Sequence, residues 1–480
     1  MDQHQERSSQ RLALNRGVIL VVATLGGFLV TFMASSVNIA LPLIGAEFHA
    51  SAVMLSWISM SMILVSGALL LPIGRLADTY GRVRFFVFSM VLLTVALFAS
   101  GFAPSAWVLL GMRALTGVCL AIGSVTSTTL VMLAYPVESR GRALGLNIGG
   151  VYLGLTVGPV LGGLIVHNLG WRSLFLIVGA AALIDVALPV WKLRHVEWRE
   201  PKAGRFDLAG SVLYAVSLVM LLLGFSWLPG VAGIVLVPVS VGGLVAFIWW
   251  ESKAADPLLP VSLLRRNRVF GFTNAAVLVN YAATSAMVFL MSLYLQYNRG
   301  LNAQTAGFVL VSGTFVQAAV SPFAGRLSDR LPARYVASTG MGLCVLGLLA
   351  LVFLGADTAY WYIILALCVL GFGFALFSTP ATHVVMGSVD KHWLGMASAT
   401  IAAVRQAGMS LSTGLAALML AVLVGRKAIK PEDYPSLLTS VRLTFLIFTV
   451  LCVGGVVASL TGPGGAAEKR QEPFAPPVKD

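Results

Sequence analysis

Charge is what this chain lacks most. Only 11% of its 480 residues are Asp, Glu, Lys or Arg, and acids are the scarcer sign, 19 against 32 basic residues. A soluble domain carries roughly 25% charged residues. With 58% of the chain hydrophobic, there is not enough charge to clothe a surface facing water. A soluble globule, a disordered chain and a collagen-like fibre are all excluded. Cysteine is scarce too. Cys119, Cys344, Cys368 and Cys452 each lie inside an apolar stretch with no metal-type spacing, so they read as small core hydrophobes rather than a disulfide framework or a metal site. No Gly-rich Lys loop for nucleotide phosphates and no Ser nucleophile elbow is present. The sequence therefore predicts no enzyme, no cofactor and no metal, and energy drawn from an ion or substrate gradient rather than from a nucleotide.

What the chain has in abundance is long apolar runs. A membrane span needs about 20 consecutive, mainly apolar residues. Such runs occupy 17–42, 52–73, 84–102, 106–134, 143–166, 172–191, 208–227, 230–250, 269–295, 303–324, 335–355, 360–386, 395–424 and 438–460. These are fourteen predicted spans, with Pro229-Gly230 as the turn of the hairpin 208–250. The apolar run after the polar first sixteen residues is too long for a signal-peptide core and reads as a retained first helix.

The net charge of +13 does not point to nucleic acid, because the basic residues sit in short clusters between spans. With the N-terminus inside, one set of alternating segments holds most of them, including Arg7, Arg11, Arg16, Arg140, Arg142, Arg265, Arg266, Arg268, Arg326 and Arg334. The intervening loops hold Arg172, Arg299, Arg426, Lys427 and Lys430. The positive-inside rule then places both termini in the cytoplasm.

An internal repeat divides the chain. Gly74-Arg75-Leu76-Ala77-Asp78-Thr79-Tyr80-Gly81-Arg82 follows the second span, and Gly325-Arg326-Leu327-Ser328-Asp329-Arg330 follows the tenth. Two related six-helix bundles are expected, 17–191 and 269–460. They lie between a cytoplasmic tail (1–16), a linker carrying the inserted hairpin (192–268) and a second tail (461–480). The expected fold is all-α and membrane-integral: two six-helix bundles plus a two-helix insertion.

These motifs resemble the major facilitator superfamily, and most of all its fourteen-helix drug/proton antiporter branch; the resemblance covers nearly the whole chain. Gly74 to Arg84 is similar to that superfamily's loop between spans 2 and 3, which implies a cytoplasmic gate. There Gly74 and Gly81 permit close backbone approach, Asp78 can face a helix N-terminus, and Arg75 and Arg82 can form ion pairs. Gly325, Asp329 and Arg330 repeat the gate in the second half. Leu110 to Gly117 resembles the span-4 motif, whose arginine, here Arg113, the family ties to proton coupling. Gly145, Gly154, Gly158-Pro159 and Gly162-Gly163 reproduce the span-5 antiporter motif, with glycines spaced to let two helices touch and a proline that permits bending. Arg405-Gln406-Ala407-Gly408 resembles the motif of the branch's penultimate span.

One position departs from the branch. Val37-Asn38-Ile39-Ala40-Leu41-Pro42 is intact, but Met33 stands where the branch usually has an Asp. Of the acids, Asp185 alone falls well inside a span, which makes it the default titratable site; the alternative is a pair with Lys192 or Arg194 near the cytoplasmic end of span 6. His383 is a second proton candidate. Asn38, Asn147, Asn280, Gln317 and Gln406 are expected to face inward, because amides avoid lipid. Phe32, Trp57 and Phe289 are either pocket lining or ordinary packing. If Arg113 and Arg405 both face a cavity, its field is positive and favours anionic or zwitterionic substrates.

The resulting expectation is a monomeric, multi-pass transporter of the bacterial or archaeal plasma membrane. It exports small hydrophobic, drug-like compounds by alternating access, with protons and membrane lipids as further partners and no nucleic acid. Two rivals remain open: an exchanger or facilitator of an organic anion without proton coupling, and a sensor or scaffold that keeps the fold.

Overall fold

The computed structural model describes residues 15–192, 207–254, 261–389 and 394–461. Residues 1–14, 193–206, 255–260, 390–393 and 462–480 lie outside it, and Arg194 with them. Among the described residues the architecture is helical, and fourteen helices are long and apolar enough to cross a membrane. The first six are α1 (Arg16–Phe48), α2 (Ala52–Tyr80), α3 (Arg82–Gly101), α4 (Ala106–Ala134), α5 (Val137–Leu169) and α6 (Trp171–Lys192). The hairpin follows as α7 (Leu208–Trp227) and α8 (Val231–Glu251). After the short α9 (Val261–Arg266) come α10 (Arg268–Thr284) and α11 (Met287–Leu293), which runs into a wider turn over Tyr294–Asn298. The chain ends with α12 (Ala303–Arg330), α13 (Ala333–Val352), α14 (Tyr360–Gly387), α15 (Leu394–Leu423) and α16 (Tyr434–Thr461).

Large apolar side chains such as Phe88, Val95, Trp107, Ile184, Val235, Val239 and Trp361 are exposed. That pattern suits helices whose solvent is hydrocarbon and whose backbone polar groups are satisfied within each helix.

The chain divides into two compact units. One comprises Met1–Ala215, Leu295–Phe308 and Arg426–Ile429. In it α1 packs along α5 and α6, α2 against α4, and α3 against α4 and α6. Gly170, with φ +81°, turns α5 into α6 in one residue, a conformation open to glycine at little cost. Beside that turn the side chain of Glu47, on α1, accepts from Trp171 Nε1 and Arg172 Nη1, both at 2.6 Å. Arg172 also donates to the carbonyl of Ala103 (3.1 Å) and stacks over the Trp171 ring at 4.3 Å. This end of the unit is thus tied by one ion pair with aromatic backing.

The other unit comprises Val216–Tyr294, Val309–Gly425 and Lys430–Asp480. Here α13 packs against α14 and α16, and α10 against α15 and α16. The hairpin helix α7 lies on α15, where a Cβ at Gly414 would meet Leu222 and Phe225. Between α10 and α11 the apolar run is interrupted. The backbone N–H of Ala286 donates to Ser412 Oγ of α15 at 2.9 Å, so a side chain supplies the partner that an unbroken helix would provide.

Candidate functional site

Gly154, Gly158 and Gly162 of the antiporter motif, together with Gly150, form a seam between α5 and α1. A Cβ at Gly150 would stand 2.9 Å from the carbonyl oxygen of Thr24, one at Gly154 2.5 Å from that of Phe28, and one at Gly158 3.1 Å from that of Phe32; at Gly162 it would stand 2.5 Å from Ser36 Cβ. Repeating every fourth residue, these positions share one helix face, and only hydrogen fits there. Hydroxyls on α1 use the closeness: Thr31 donates to the carbonyl of Val151 (2.9 Å), Ser35 to that of Gly154 (3.4 Å) and Ser36 to that of Gly158 (2.9 Å). Gly163 lies one position off this face, and its Cβ position is 2.6 Å from the carbonyl oxygen of Ala303; Pro159 presents its own carbonyl to Gly307. Gly145, part of the same motif, has open space around it. The sequence missed the hydroxyls of α1, although Thr31 and Ser35 stand four apart, as the glycines do.

Arg113 and Asn38 converge on one stretch of α2. Arg113, 1% exposed, donates from Nε to the carbonyl of Ile58 (3.3 Å), and its Nη1 is buried without a hydrogen-bond partner. Asn38 accepts from Ser59 Oγ at 2.7 Å and donates to the carbonyl of Ala34. The next turn of α4 places Gly117 against the carbonyl of Met62, which brings the arginine's helix close to α2. Asn147 is buried with Nδ2 unpaired. Met33 is packed in the core.

Asp185 stands apart from that group. It is 2% exposed, and both carboxyl oxygens are buried with no hydrogen-bond partner. Oδ2 lies 3.4 Å from the Cβ position of Gly26, beside Met90. The adjoining apolar cluster includes Ile19, Val22, Phe86, Met90 and Val186. Of the charged and titratable residues of the packed helices, Arg16 and Glu47 on α1, Arg82 and Arg84 on α3, Glu138, Arg140, Arg142 and His167 on α5, and Arg172 and Lys192 on α6 itself lie toward helix ends, whereas Tyr152 lies midway along α5. The side chain of Lys192 lies outside the described residues. Glu251 is buried at the end of α8.

In the second unit Arg405, on α15, donates from Nη2 to Thr382 Oγ1 of α14 at 2.5 Å and lies 5.6 Å from the Tyr281 ring centroid. Gln406 beside it is partly buried. His383 is exposed, its Nδ1 3.5 Å from Ser328 Oγ of α12. Asn280 is fully buried; Nδ2 reaches Cys344 Sγ at 3.9 Å and Oδ1 has no hydrogen-bond partner. Gln317 is partly buried, and its carbonyl accepts from Ser321. Phe289 and, in the first unit, Phe32 are core residues, while Trp57 is partly exposed.

The two gate loops are described only in part. Gly81 links α2 to α3 with φ +117°, and Gly74 and Gly325 each have ordinary room around them. Arg82 is partly buried and Arg330 exposed. The side chains of Arg75, Asp78 and Asp329 lie outside the described residues. Among the described residues no cluster of His, Cys, Asp or Glu could hold a metal ion.

Residues 23–413 match the sequence profile of the Major Facilitator Superfamily. This chain belongs to that superfamily. Similar proteins include the multidrug resistance protein Stp of Mycobacterium tuberculosis, 32% identical over 84% of this chain and 75% of the relative. The riboflavin transporter RibZ of Clostridioides difficile is 26% identical over 82% and 86%. The tetracenomycin C resistance and export protein of Streptomyces glaucescens is 26% identical over 85% and 76%. The chain is therefore a major facilitator superfamily transporter, and the fourteen candidate spans among the described residues fit the all-α architecture expected from the sequence.

Proposed function

We propose that this major facilitator transporter exports small, largely apolar compounds across a bacterial plasma membrane in exchange for protons, with Asp185 carrying the proton. Export is supported by the antiporter-type glycines of α5 and by relatives named for multidrug resistance and for export. Coupling rests on one observation, the buried Asp185 carboxyl without a partner. Among the described residues no counter-charge pairs with it, and effective desolvation penalties for an ionised carboxylate run to several kcal/mol per ion. The packing of α1, α3 and α6 therefore suits the protonated acid. Releasing the proton requires an arrangement that wets the site, so proton occupancy and helix packing become linked. Both termini are cytoplasmic on this reading, and the bundles 17–191 and 269–460 are the halves that alternate access.

The test is an imposed gradient. In inside-out proteoliposomes acidified within, an anionic aromatic dye such as 8-anilino-1-naphthalenesulfonate should accumulate, and a protonophore should collapse the accumulation. Asp185→Asn should transport only down the dye's own gradient. Dye movement indifferent to the gradient, or full coupling in Asp185→Asn, would overturn the assignment. One observation favours a second reading, exchange of organic anions: Arg113 and Arg405 lie within helices and bond to uncharged groups. Uptake that ignores the pH gradient but needs counter-substrate inside would select it.

A further inference from the structure

Arg405 lies eleven residues into α15 from Leu394, roughly 16 Å along the axis. A cation at such depth is expensive and normally finds a partner acid or a wet cavity. Among the described residues of its unit, the acids Glu251 and Asp329 fall at helix ends, Glu432 and Asp433 just before α16, and Asp357 between α13 and α14. Among the described residues, the groups that contact the guanidinium are uncharged. Thr382 Oγ1 accepts from Nη2, and the same hydroxyl donates to the carbonyl of Ser378 at 2.8 Å. Tyr281 offers its ring to the guanidinium and its hydroxyl to Ser378 Oγ, 3.4 Å away. Phe374 stands edge-on to Tyr281, centroids 5.2 Å apart at 72°. Nε has no hydrogen-bond partner. Arg405, Tyr281, Phe374 and Thr382 are all only partly buried.

A hydroxyl and a ring face orient a guanidinium without neutralising it. Arginine carries five N–H donors in a rigid fork suited to carboxylates and stacks on aromatic faces. The group thus combines an oriented cation, held by uncharged groups among the described residues, with two adjoining aromatic rings from α10 and α14. We propose that Arg405, Tyr281 and Phe374 form a substrate-anchoring site for a small aromatic acid: the carboxylate or acidic phenol pairs with Arg405, and the attached planar ring packs on Tyr281 and Phe374. This deepens the export reading, on which it rests, by naming the class of compound carried. A bare tether between α14 and α15 would need the Arg405–Thr382 bond but would confer no preference for ligand charge.

The test is equilibrium binding to the purified full-length protein in lipid nanodiscs. Three probes share one ring system: 2-naphthoate, 2-naphthalenemethanol and 2-naphthylmethylamine. The wild type should bind naphthoate about tenfold more tightly than the alcohol, in line with charge-assisted hydrogen bonding, and the amine most weakly. Arg405→Gln should erase the charge preference, Arg405→Lys should keep part of it, and Tyr281→Leu should weaken all three probes alike. Equal or undetectable binding of the three to wild type overturns the proposal, and so does a preference that survives in Arg405→Gln. The wild-type comparison needs no variant, so it decides the matter even where a variant folds poorly. Dye transport is scored separately: coupled transport without a naphthoate preference removes this site alone, whereas a naphthoate preference in a protein that moves no dye leaves the site and removes the export reading.

Discussion

Ser36 on α1 donates its hydroxyl to the backbone carbonyl of Gly158 on α5 at 2.9 Å, across 122 positions of sequence. The bond can form because a Cβ at Gly162, one turn further on, would already collide with Ser36. Glycine here creates the proximity, and the hydroxyls of α1 exploit it.

Substitutions along α5 should therefore divide sharply. Gly154→Ala and Gly158→Ala push a methyl into Thr31 and the Phe28 carbonyl, or into Ser35. Overpacking of this kind costs about 1–3 kcal/mol. Both variants should melt several degrees lower and lose transport. Gly145→Ala, in the same motif but facing open space, should stay within about 0.5 kcal/mol of wild type, as substitutions without close neighbours usually do. Fluorescence-monitored melting in detergent distinguishes them; equal losses at the three positions would contradict the seam.

Asp185 separates stability from coupling. Replacing buried ionisable groups with well-packed apolar residues is often neutral or stabilising. Asp185→Leu should thus hold or raise the melting temperature while abolishing the response to a pH gradient. A variant that unfolds, or one that still couples, would show that the carboxyl does other work.

The Glu47–Arg172 pair is partly exposed, its side chains 42% and 38% accessible, and exposed pairs contribute about 0.2–1 kcal/mol. Glu47→Gln, which can still accept from Trp171, should therefore cost under about 1 kcal/mol. Arg172→Ala removes in addition the stack on Trp171 and the bond to the Ala103 carbonyl, so it should cost more. High salt should narrow the gap between wild type and Glu47→Gln in a melting series.

The thiols give a simple accessibility check. Cys119, Cys344 and Cys452 are buried, and Cys368 is partly so, its Sγ 3.9 Å from the Ser312 carbonyl. N-ethylmaleimide should modify at most Cys368 in the folded protein and all four after denaturation, as read by intact mass.

The spans are legible in the sequence because a run of about 20 apolar residues has few other uses, and Pro229-Gly230 does separate α7 from α8. The ends are less so. The first apolar run is read to end at Pro42, yet α1 carries on through that proline to Phe48. The interruption at Ala286 is invisible in the sequence, since it depends on Ser412, more than a hundred residues away. For the candidate site, composition singles out Asp185, Arg113 and Arg405 as charges in apolar surroundings. It does not say that Asp185 faces Gly26, or that Arg405 meets Thr382 and Tyr281, because those neighbours come from other helices and carry no mark of their own. Amides behave unevenly: Asn38 finds Ser59, whereas Asn147 and Asn280 keep an unpaired atom in the interior.

Gly26 and the serines that grip α5 belong to one helix. A joint whose spacers are single hydrogens has no slack, so α1 cannot shift its register against α5 and the two must swing as one lever. On the proposed role of Asp185, a displacement of α1 that hydrates the carboxyl would also draw on the Gly150–Gly162 stretch of α5, so the cost of wetting one acid would be shared by two helices.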